Sequence, residues 1–184
     1  MECGTLTAME ALSEAALEFA RSHHEGQRRD ADDQPFVLHP EEVARLLREA
    51  GCPDHVVAAG ALHDVIEDTD TERGELEERF GPEVADLVAS LTDDPSIEDK
   101  AERRAALRRQ VVGSGPEAAT VFAADKISKS RELRLKAERG RLTDDDRAKI
   151  EHYVHSLEML DEAIPGHPLV EKLRGELEGL RATA

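Results

Sequence analysis

Aromatic residues are scarce in this chain. It contains no tryptophan, one tyrosine and four phenylalanines, and aromatics make up 3% of its 184 residues. β-Branched residues are also sparse, whereas Ala, Leu, Glu and Arg are abundant. Strands favour aromatic and β-branched side chains, while helices favour the abundant types. The composition therefore argues against a β-rich fold and predicts an all-α protein, and the length predicts one compact domain spanning residues 1–184.

Cysteines and long apolar runs are equally rare. The two cysteines, Cys3 and Cys52, lie in unlike surroundings, so the sequence predicts no disulfide framework and favours a reducing, cytoplasmic location. No apolar run approaches the roughly 20 residues that a membrane-spanning helix needs, and no signal-peptide pattern opens the chain. We therefore expect neither membrane insertion nor export.

Positive charge is also in short supply. The chain has 24 lysines and arginines against 41 aspartates and glutamates, which gives a formal net charge of −17. The electrostatic field of a protein with this negative charge repels nucleic-acid backbones and anionic lipid surfaces, so we expect neither as a partner. A small phosphorylated molecule could still bind, but only where cationic side chains are gathered locally.

Capping residues, prolines and glycines divide the chain into helices separated by short turns. Thr7–Glu10, Ser96–Asp99 and Thr143–Asp146 have the pattern of helix N-termini, and Asp54 is a candidate N-cap. Gly26 to Leu38 is polar and contains Pro35, which indicates a loop. The predicted helices run from Thr7 to about His24, Pro40 to Gly51, His55 to Asp68, Thr71 to Phe80, Pro82 to Leu91, Ser96 to about Val112, Pro116 to near Gly140, Thr143 to Ile164 and Pro168 to Ala184.

The segment His55 to Asp68 is unusually apolar, yet ionisable residues interrupt its end. His63 and Asp64 lie inside the apolar run, where an unpaired charge would cost several kcal/mol. On a helix, His63 and Glu67 share one stripe, and Asp64 and Asp68 share the next. This pattern predicts a metal site with an acid–base pair beside it. The alternative is a solvated helix end, which we favour for Asp70.

Asp125 repeats this anomaly, because it follows the apolar run Val121 to Ala124. An internal ion pair with Lys126 or a capping contact would also explain it. His39 stands at the start of a predicted helix, between an extended segment and Pro40, and by itself would mean little. Two imidazoles and two carboxylates together give a mixed nitrogen and oxygen ligand set, which suits Mn²⁺ or Fe²⁺ better than a closed structural zinc site.

A series of motifs over roughly residues 7–135 resembles the HD-superfamily hydrolase domain of RelA/SpoT-type enzymes, and is most similar to the small single-domain alarmone hydrolases. The motifs occur in family order: His24-Glu25-Gly26-Gln27, Pro35 to Pro40, Leu62 to Thr69, Phe80 to Ala85 and Ala124-Asp125-Lys126. The resemblance implies a compact helical bundle of the HD type.

The resemblance also implies a set of roles. It makes His39, His63, Asp64 and Asp125 the ligands of one divalent cation, usually Mn²⁺, with Fe²⁺ or Zn²⁺ as alternatives. Glu67 and Asp68 would handle the attacking water, and the reaction would release pyrophosphate from the 3′ position of a small nucleotide, with (p)ppGpp as the leading candidate. The side chains expected to neutralise phosphate charge are Arg29, Lys126 and Arg131.

Two positions depart from the family pattern on its nucleotide-recognition surface. Asp30 stands where a lysine is usual, and Lys129 where an asparagine is usual. Lys129 is therefore also a candidate substrate contact, and the preferred nucleotide stays open. The alternatives are a phosphatase for another nucleotide or dinucleotide, and a catalytically silent nucleotide-binding module.

The other histidines and the C-terminal helices can be explained by structural roles. His24 is expected to cap or pack rather than act directly, and His152 with His155 fits a polar flank around Tyr153 as well as a metal site. The C-terminal helices, about residues 143–181, could cover the core, form a homo-oligomer or line the pocket with Tyr153.

Overall fold

The computed structural model describes residues 11–183, and the regular structure in that range is helical apart from one isolated bridge between Arg28 and Pro35. The all-α prediction is confirmed. The helices are α1 Ala11–His23, α2 Leu38–Glu49, α3 Asp54–Leu62, α4 Val65–Asp68, α5 Arg73–Phe80, α6 Pro82–Leu91, α7 Lys100–Gly113, α8 Pro116–Glu138, α9 Asp144–Ala163 and α10 Pro168–Thr183. The Thr7 capping box and Cys3 lie outside the described residues.

Most helix starts follow the sequence signals, with two exceptions. Thr143 and Asp146 form the expected reciprocal capping box of α9. The prediction of a cap at Ser96 was wrong: Asp99 is the N-cap of α7, and its carboxylate accepts from the Glu102 N–H at 2.8 Å. Asp54 is not a cap either. It is the first residue of α3, and its carboxylate accepts from the Ser13 N–H at 3.2 Å in α1, so it joins two helices.

Helix α3 is the centre of the core. Its residues Val56 to Leu62 are all buried, and it packs against α1, α2, α6 and α8. Gly60 allows α2 to approach closely, because a Cβ at this position would lie 2.3 Å from Leu47 Cδ1. A side chain on this face would push the two helices apart, so glycine is required for the packing that positions the end of α3.

The prediction of one continuous helix from His55 to Asp68 was wrong. Helix α3 ends at Leu62, α4 begins at Val65, and Asp64 between them has φ −96° and ψ −6°. The His63 ring contributes to the break, since its Nδ1 lies 2.8 Å from the Gly60 carbonyl oxygen. In a continuous helix that carbonyl would accept the backbone N–H of Asp64.

The C-terminal helices cover one side of the core. Helix α10 packs along α8 and α9, and it buries Leu169, Val170, Leu173, Leu177 and Leu180. Helix α9 packs against α7 and α8. Over residues 11–183, no helix combines the length and the apolar character needed to cross a bilayer.

Candidate metal centre and active site

Four buried side chains converge from three parts of the fold. His39 lies at the start of α2, His63 and Asp64 lie at the break between α3 and α4, and Asp125 lies in α8. The atoms His39 Nε2 and His63 Nε2 are 3.1 Å apart. We call this group of four residues the cradle.

The two carboxylates close the cradle around the imidazoles. Asp64 Oδ2 lies 3.3 Å from His39 Nε2 and 3.2 Å from His63 Nε2. Asp125 Oδ1 lies 3.3 Å from the first nitrogen and 3.4 Å from the second. Each carboxylate therefore directs one oxygen at both rings.

Hydrogen bonds on the far side of each ring orient the lone pairs toward the cradle. His63 Nδ1–H donates to the Gly60 carbonyl. His39 Nδ1 lies 2.9 Å from Ser128 Oγ, and that hydroxyl donates to Glu42 Oε2 at 2.7 Å, so it accepts from the ring. In the neutral rings both Nε2 atoms then present lone pairs to one another, which is the arrangement of metal-ligating histidines.

Three residues of the cradle can hold one divalent cation together, because one ligand atom each from His39, His63 and Asp125 lies within 4.8 Å of the other two. Asp64 Oδ2 and Asp125 Oδ1 are buried, and within the described residues neither accepts a well-aligned hydrogen bond. Asp125 Oδ1 has the Lys129 ammonium beside it at 3.0 Å, and a cation held between the two oxygens would satisfy both acceptors. Two ligand atoms at right angles, each about 2.2 Å from an ion, lie about 3.1 Å apart, close to the spacings observed here.

The cradle's charges are strongly coupled. Burial disfavours the charged form of His63, but Asp64 and Asp125 outweigh burial and raise the pKa of His63 to about 10. Burial likewise opposes ionisation of Asp125, yet the cations Lys126 and Lys129 hold the pKa of this carboxyl well below its usual range. The cradle thus attracts positive charge, and a metal ion would have to displace a proton from it.

A cavity of about 300 Å³ opens beside the cradle. Glu67 lines it, and burial, followed by the charge of Asp64, raises the pKa of Glu67 to about 7. Other lining residues come from α7, α8 and α9 and include Arg104, Lys126, Lys129, Lys136, Lys149, His152 and Tyr153. The cavity wall thus carries five cationic side chains among seven carboxylates, so cations are present there but do not outnumber acids.

The predicted phosphate contacts divide into two groups. Lys126 and Lys129 line the cavity, and both pair with Asp125. Arg29 lies behind Glu132, a lining residue, and forms an ion pair with Asp32.

Arg131 is turned away from the cavity. It pairs with Glu42 and Glu176, each at 2.6 Å. The structure thus does not bring Arg29 or Arg131 to the cavity wall.

Asp68 lies on a different surface from its predicted partner Glu67. It borders a second, acidic depression that also contains Gln27, Asp70 and Glu75. Burial and the charge of Asp64 raise the pKa of Asp68. Its backbone carbonyl accepts from Gln27 Nε2 at 3.0 Å. Of the predicted acidic pair, only Glu67 therefore faces the cavity.

His24 and His152 have structural partners. His24 is buried, and its Nδ1 contacts Gln27 Oε1 at 2.8 Å. His152 is buried beside Arg108, which donates to its Nδ1, and burial together with Lys126 lowers the pKa of His152 to about 2. His155 is exposed, whereas His152 is buried with its Nδ1 against Arg108, so the two rings do not share a site.

Sequence reasoning missed Ser128 and gave the contribution of α9 only as one of three alternatives. Ser128 is fully buried and holds His39, but a serine in a helix has no sequence signal until its distant partners are known. Helix α9 supplies Asp146, Lys149, His152 and Tyr153 to the cavity wall. Of the three roles considered for the C-terminal helices, covering the core and lining the pocket both occur.

Comparisons with known proteins identify the family of this chain. A family model described as HD domain matches residues 16–150. The chain belongs to the HD domain family. This HD domain is 44% identical over 124 residues to the human guanosine-3′,5′-bis(diphosphate) 3′-pyrophosphohydrolase MESH1, covering 66% of this chain and 69% of the relative. It is 37% identical over 99 residues to an Aquifex aeolicus enzyme with the same activity name, covering 54% of this chain and 14% of that protein.

A solved structure is also similar over nearly its whole length. That structure is of a metazoan ortholog of SpoT that hydrolyses ppGpp and plays a role in starvation responses. The TM-score is 0.78 at 30% identity, with 94% of this chain and 97% of that chain covered. The HD domain described here is accordingly a metal-dependent hydrolase of the alarmone-hydrolase type.

Proposed function

We propose that this HD domain hydrolyses the 3′-pyrophosphate of a guanosine bis(diphosphate), with Mn²⁺ as its cation. The observation that carries the proposal is the cradle itself, because two imidazole nitrogens and two carboxylate oxygens face one another there and open onto a cavity lined by Glu67, Lys126 and Lys129. The names of the similar human and bacterial enzymes supply the substrate class. The mixed ligand set supports Mn²⁺ as the cation.

The chain's own residues divide the work of hydrolysis. A divalent cation held by the cradle would supply Lewis-acid chemistry, withdrawing electron density from a phosphoryl oxygen and making a nearby water more acidic. Glu67 accepts the proton of the attacking water, since it is the acidic residue of the predicted pair that faces the cavity. The water oxygen bonds to the phosphorus attached to the ribose 3′ oxygen, and the bond between that phosphorus and the 3′ oxygen breaks. The 3′ oxygen takes up a proton, returned by Glu67 or supplied by solvent, so the products are the 3′ hydroxyl and pyrophosphate.

Two lysines offset the negative charge of the substrate. Lys129 is partly exposed on the cavity wall. Lys126 is buried, with its Nζ 4.2 Å from the centre of the Phe122 ring, and pairs with Asp125 Oδ2. Phosphate oxygens would be stabilised by these ammonium groups in a cavity where water screens charge poorly.

A second candidate is hydrolysis of a different phosphorylated nucleotide. The observation that favours it is the ion pair between Asp30 and Lys136, whose atoms Oδ2 and Nζ lie 2.6 Å apart at the cavity wall. This pair places an exposed carboxylate beside the cavity and occupies a lysine that could otherwise contact phosphate. A substrate with less negative charge than ppGpp would suit such a wall better.

Purified protein loaded with Mn²⁺ would decide between these substrates. We expect ppGpp to give GDP and pyrophosphate, resolved by anion-exchange chromatography, and Asp64→Asn to abolish turnover. A panel of other nucleotides and dinucleotides tests the second candidate. If ppGpp stays intact while another nucleotide loses phosphate, the substrate proposal is wrong, and if no nucleotide reacts, the module is catalytically silent.

A cytoplasmic location is part of the proposal. Cys52 is a free thiol, and residues 11–183 contain no disulfide, as is usual in reducing compartments. A homo-oligomer also stays a prediction, which light scattering coupled to size-exclusion chromatography would test.

A further inference from the structure

Lys129 reaches into the cradle from α8, one turn after Asp125. Its Nζ lies 3.0 Å from Asp125 Oδ1 and 3.4 Å from Asp64 Oδ1. Asp125 Oδ1 is also the oxygen that faces both imidazoles, at 3.3 and 3.4 Å. The ammonium group and a bound cation would therefore share one carboxylate oxygen.

Because they share this oxygen, the Lys129 ammonium and the bound cation would lie close enough to repel each other. A cation about 2.2 Å from Asp125 Oδ1 cannot lie farther than about 5.2 Å from Lys129 Nζ, since the two separations add at most to that value. Charges this close repel strongly where burial limits screening. In the absence of substrate, the lysine thus competes with the cation for the same carboxylates.

Lys126 does not compete in the same way. It pairs with the other oxygen of that carboxylate, Asp125 Oδ2, and its Nζ lies 4.2 Å from the centre of the Phe122 ring. Lys129 has no aromatic partner in the described part of the chain, and its side chain is 31% exposed on the cavity wall. Lys129 is therefore the lysine that has room to leave the cradle for a ligand in the cavity.

We propose that Lys129 is a positioning residue that makes cation and phosphate bind cooperatively. In the substrate-free protein it weakens cation binding. When an oxyanion enters the cavity, the ammonium group turns from the carboxylates to the anion, which then lies between the two positive charges and relieves their repulsion. This inference rests on the proposed metal centre, but it does not depend on which nucleotide is hydrolysed.

Linkage makes the proposal quantitative. Coupling between two ligands is reciprocal and typically amounts to about 5- to 150-fold in affinity. We expect saturating inorganic phosphate to tighten Mn²⁺ binding to the unmodified protein at least about tenfold. Lys129→Met keeps an unbranched side chain, one atom shorter, and removes the charge. It should tighten Mn²⁺ binding about tenfold without phosphate and reduce the effect of phosphate to less than about threefold.

Titration followed by electron paramagnetic resonance measures free Mn²⁺ directly, and a protein-free titration corrects for Mn²⁺ bound by phosphate. Lys149→Met is the control, because Lys149 lines the same cavity but pairs with Asp145 at 3.1 Å rather than with the cradle. Its phosphate effect should match that of the unmodified protein within about threefold.

Each outcome separates the role of Lys129 from the metal centre. If Lys129→Met binds Mn²⁺ no more tightly than the unmodified protein, the lysine orients the carboxylates instead of opposing the cation, and the proposal is wrong. The same holds if phosphate leaves Mn²⁺ affinity of the unmodified protein unchanged, a measurement that needs no variant to fold. Absence of Mn²⁺ binding by the unmodified protein would overturn the metal centre itself.

Discussion

Removal of the buried Ser128 hydroxyl should lower the affinity of the metal centre for Mn²⁺, because this hydroxyl orients His39. Ser128 Oγ accepts from His39 Nδ1 at 2.9 Å and donates to Glu42 Oε2 at 2.7 Å. Ser128→Ala leaves the imidazole N–H without its acceptor, while Glu42 keeps Arg131 at 2.6 Å. Loss of a partner that orients a metal-ligating histidine typically lowers metal affinity about 10- to 100-fold, or about 1.4 to 2.8 kcal/mol.

Helix α8 offers a matched control two residues away. Ser130 is also buried, at 1% exposure, but within the described residues its Oγ has no hydrogen-bond partner. Removing a hydroxyl that is already unsatisfied costs little. Ser130→Ala should therefore bind Mn²⁺ within about twofold of the unmodified protein, although both substitutions delete one oxygen from the same helix.

Isothermal titration calorimetry with Mn²⁺ measures both variants, and circular dichroism confirms that each is folded. The reasoning is refuted if Ser128→Ala binds Mn²⁺ as tightly as the unmodified protein. It is also refuted if Ser130→Ala loses as much affinity, because the loss would then reflect general damage to α8 and not the missing acceptor for His39.

Three further predictions follow from single contacts. Glu67→Gln should lower kcat about 10²- to 10⁴-fold in a chromatographic turnover assay while Mn²⁺ affinity changes little, and an unchanged kcat would remove Glu67 as the proton acceptor. Gly60→Ala should lower the free energy of unfolding, measured in urea, by about 1 to 3 kcal/mol, because its Cβ would lie 2.3 Å from buried Leu47 Cδ1. Gly175 in α10 has open space around it, so Gly175→Ala should raise the free energy of unfolding by about 0.5 to 1 kcal/mol. Equal effects of the two glycine substitutions would contradict this packing. Burial raises the pKa of Asp146, but Lys136 and the hydrogen bonds from Thr143 outweigh burial and lower this pKa to about 2. The ionised Asp146 therefore stabilises the fold above about pH 4, and this stabilisation is lost as the pH falls toward 2. Asp146→Asn should therefore lower the free energy of unfolding by about 2 kcal/mol at pH 7 and by about half as much at pH 3, and a loss equal at both pH values would contradict the assignment.

Local chemistry explains which parts of the fold could be read from the sequence. Pro82, Pro116 and Pro168 begin helices because proline fits a first turn, and Thr143 begins α9 through a capping box that needs only four consecutive residues. Where two local signals competed, sequence reasoning failed. Ser96 was predicted as the cap, with Asp99 as its partner three residues later. In the structure the helix starts later, and Asp99 itself is the N-cap that accepts from the Glu102 N–H.

The candidate site was predictable to the extent that its residues stand out from their neighbours. His63, Asp64 and Asp125 are ionisable groups in apolar helices, so their burial could be anticipated. Tyr153 and Ser128 carry no such contrast. Their importance depends on contacts across the fold, such as the bond between Ser128 and Glu42, which is 86 residues distant in sequence. The roles of the cradle residues as ligands stay predictions until metal binding is measured.

The break after α3 coincides with the place where two adjacent residues face the cradle. On a regular helix, consecutive side chains point about 100° apart. Asp64 Oδ2 nevertheless lies 3.2 Å from His63 Nε2, between the end of α3 at Leu62 and the start of α4 at Val65. The His63 ring also takes the Gly60 carbonyl, which a continuous helix would pair with the Asp64 N–H, and presents Nε2 to the cradle. The interruption that sequence reasoning missed therefore falls at the site that it anticipated, and one side chain, His63, takes part in both.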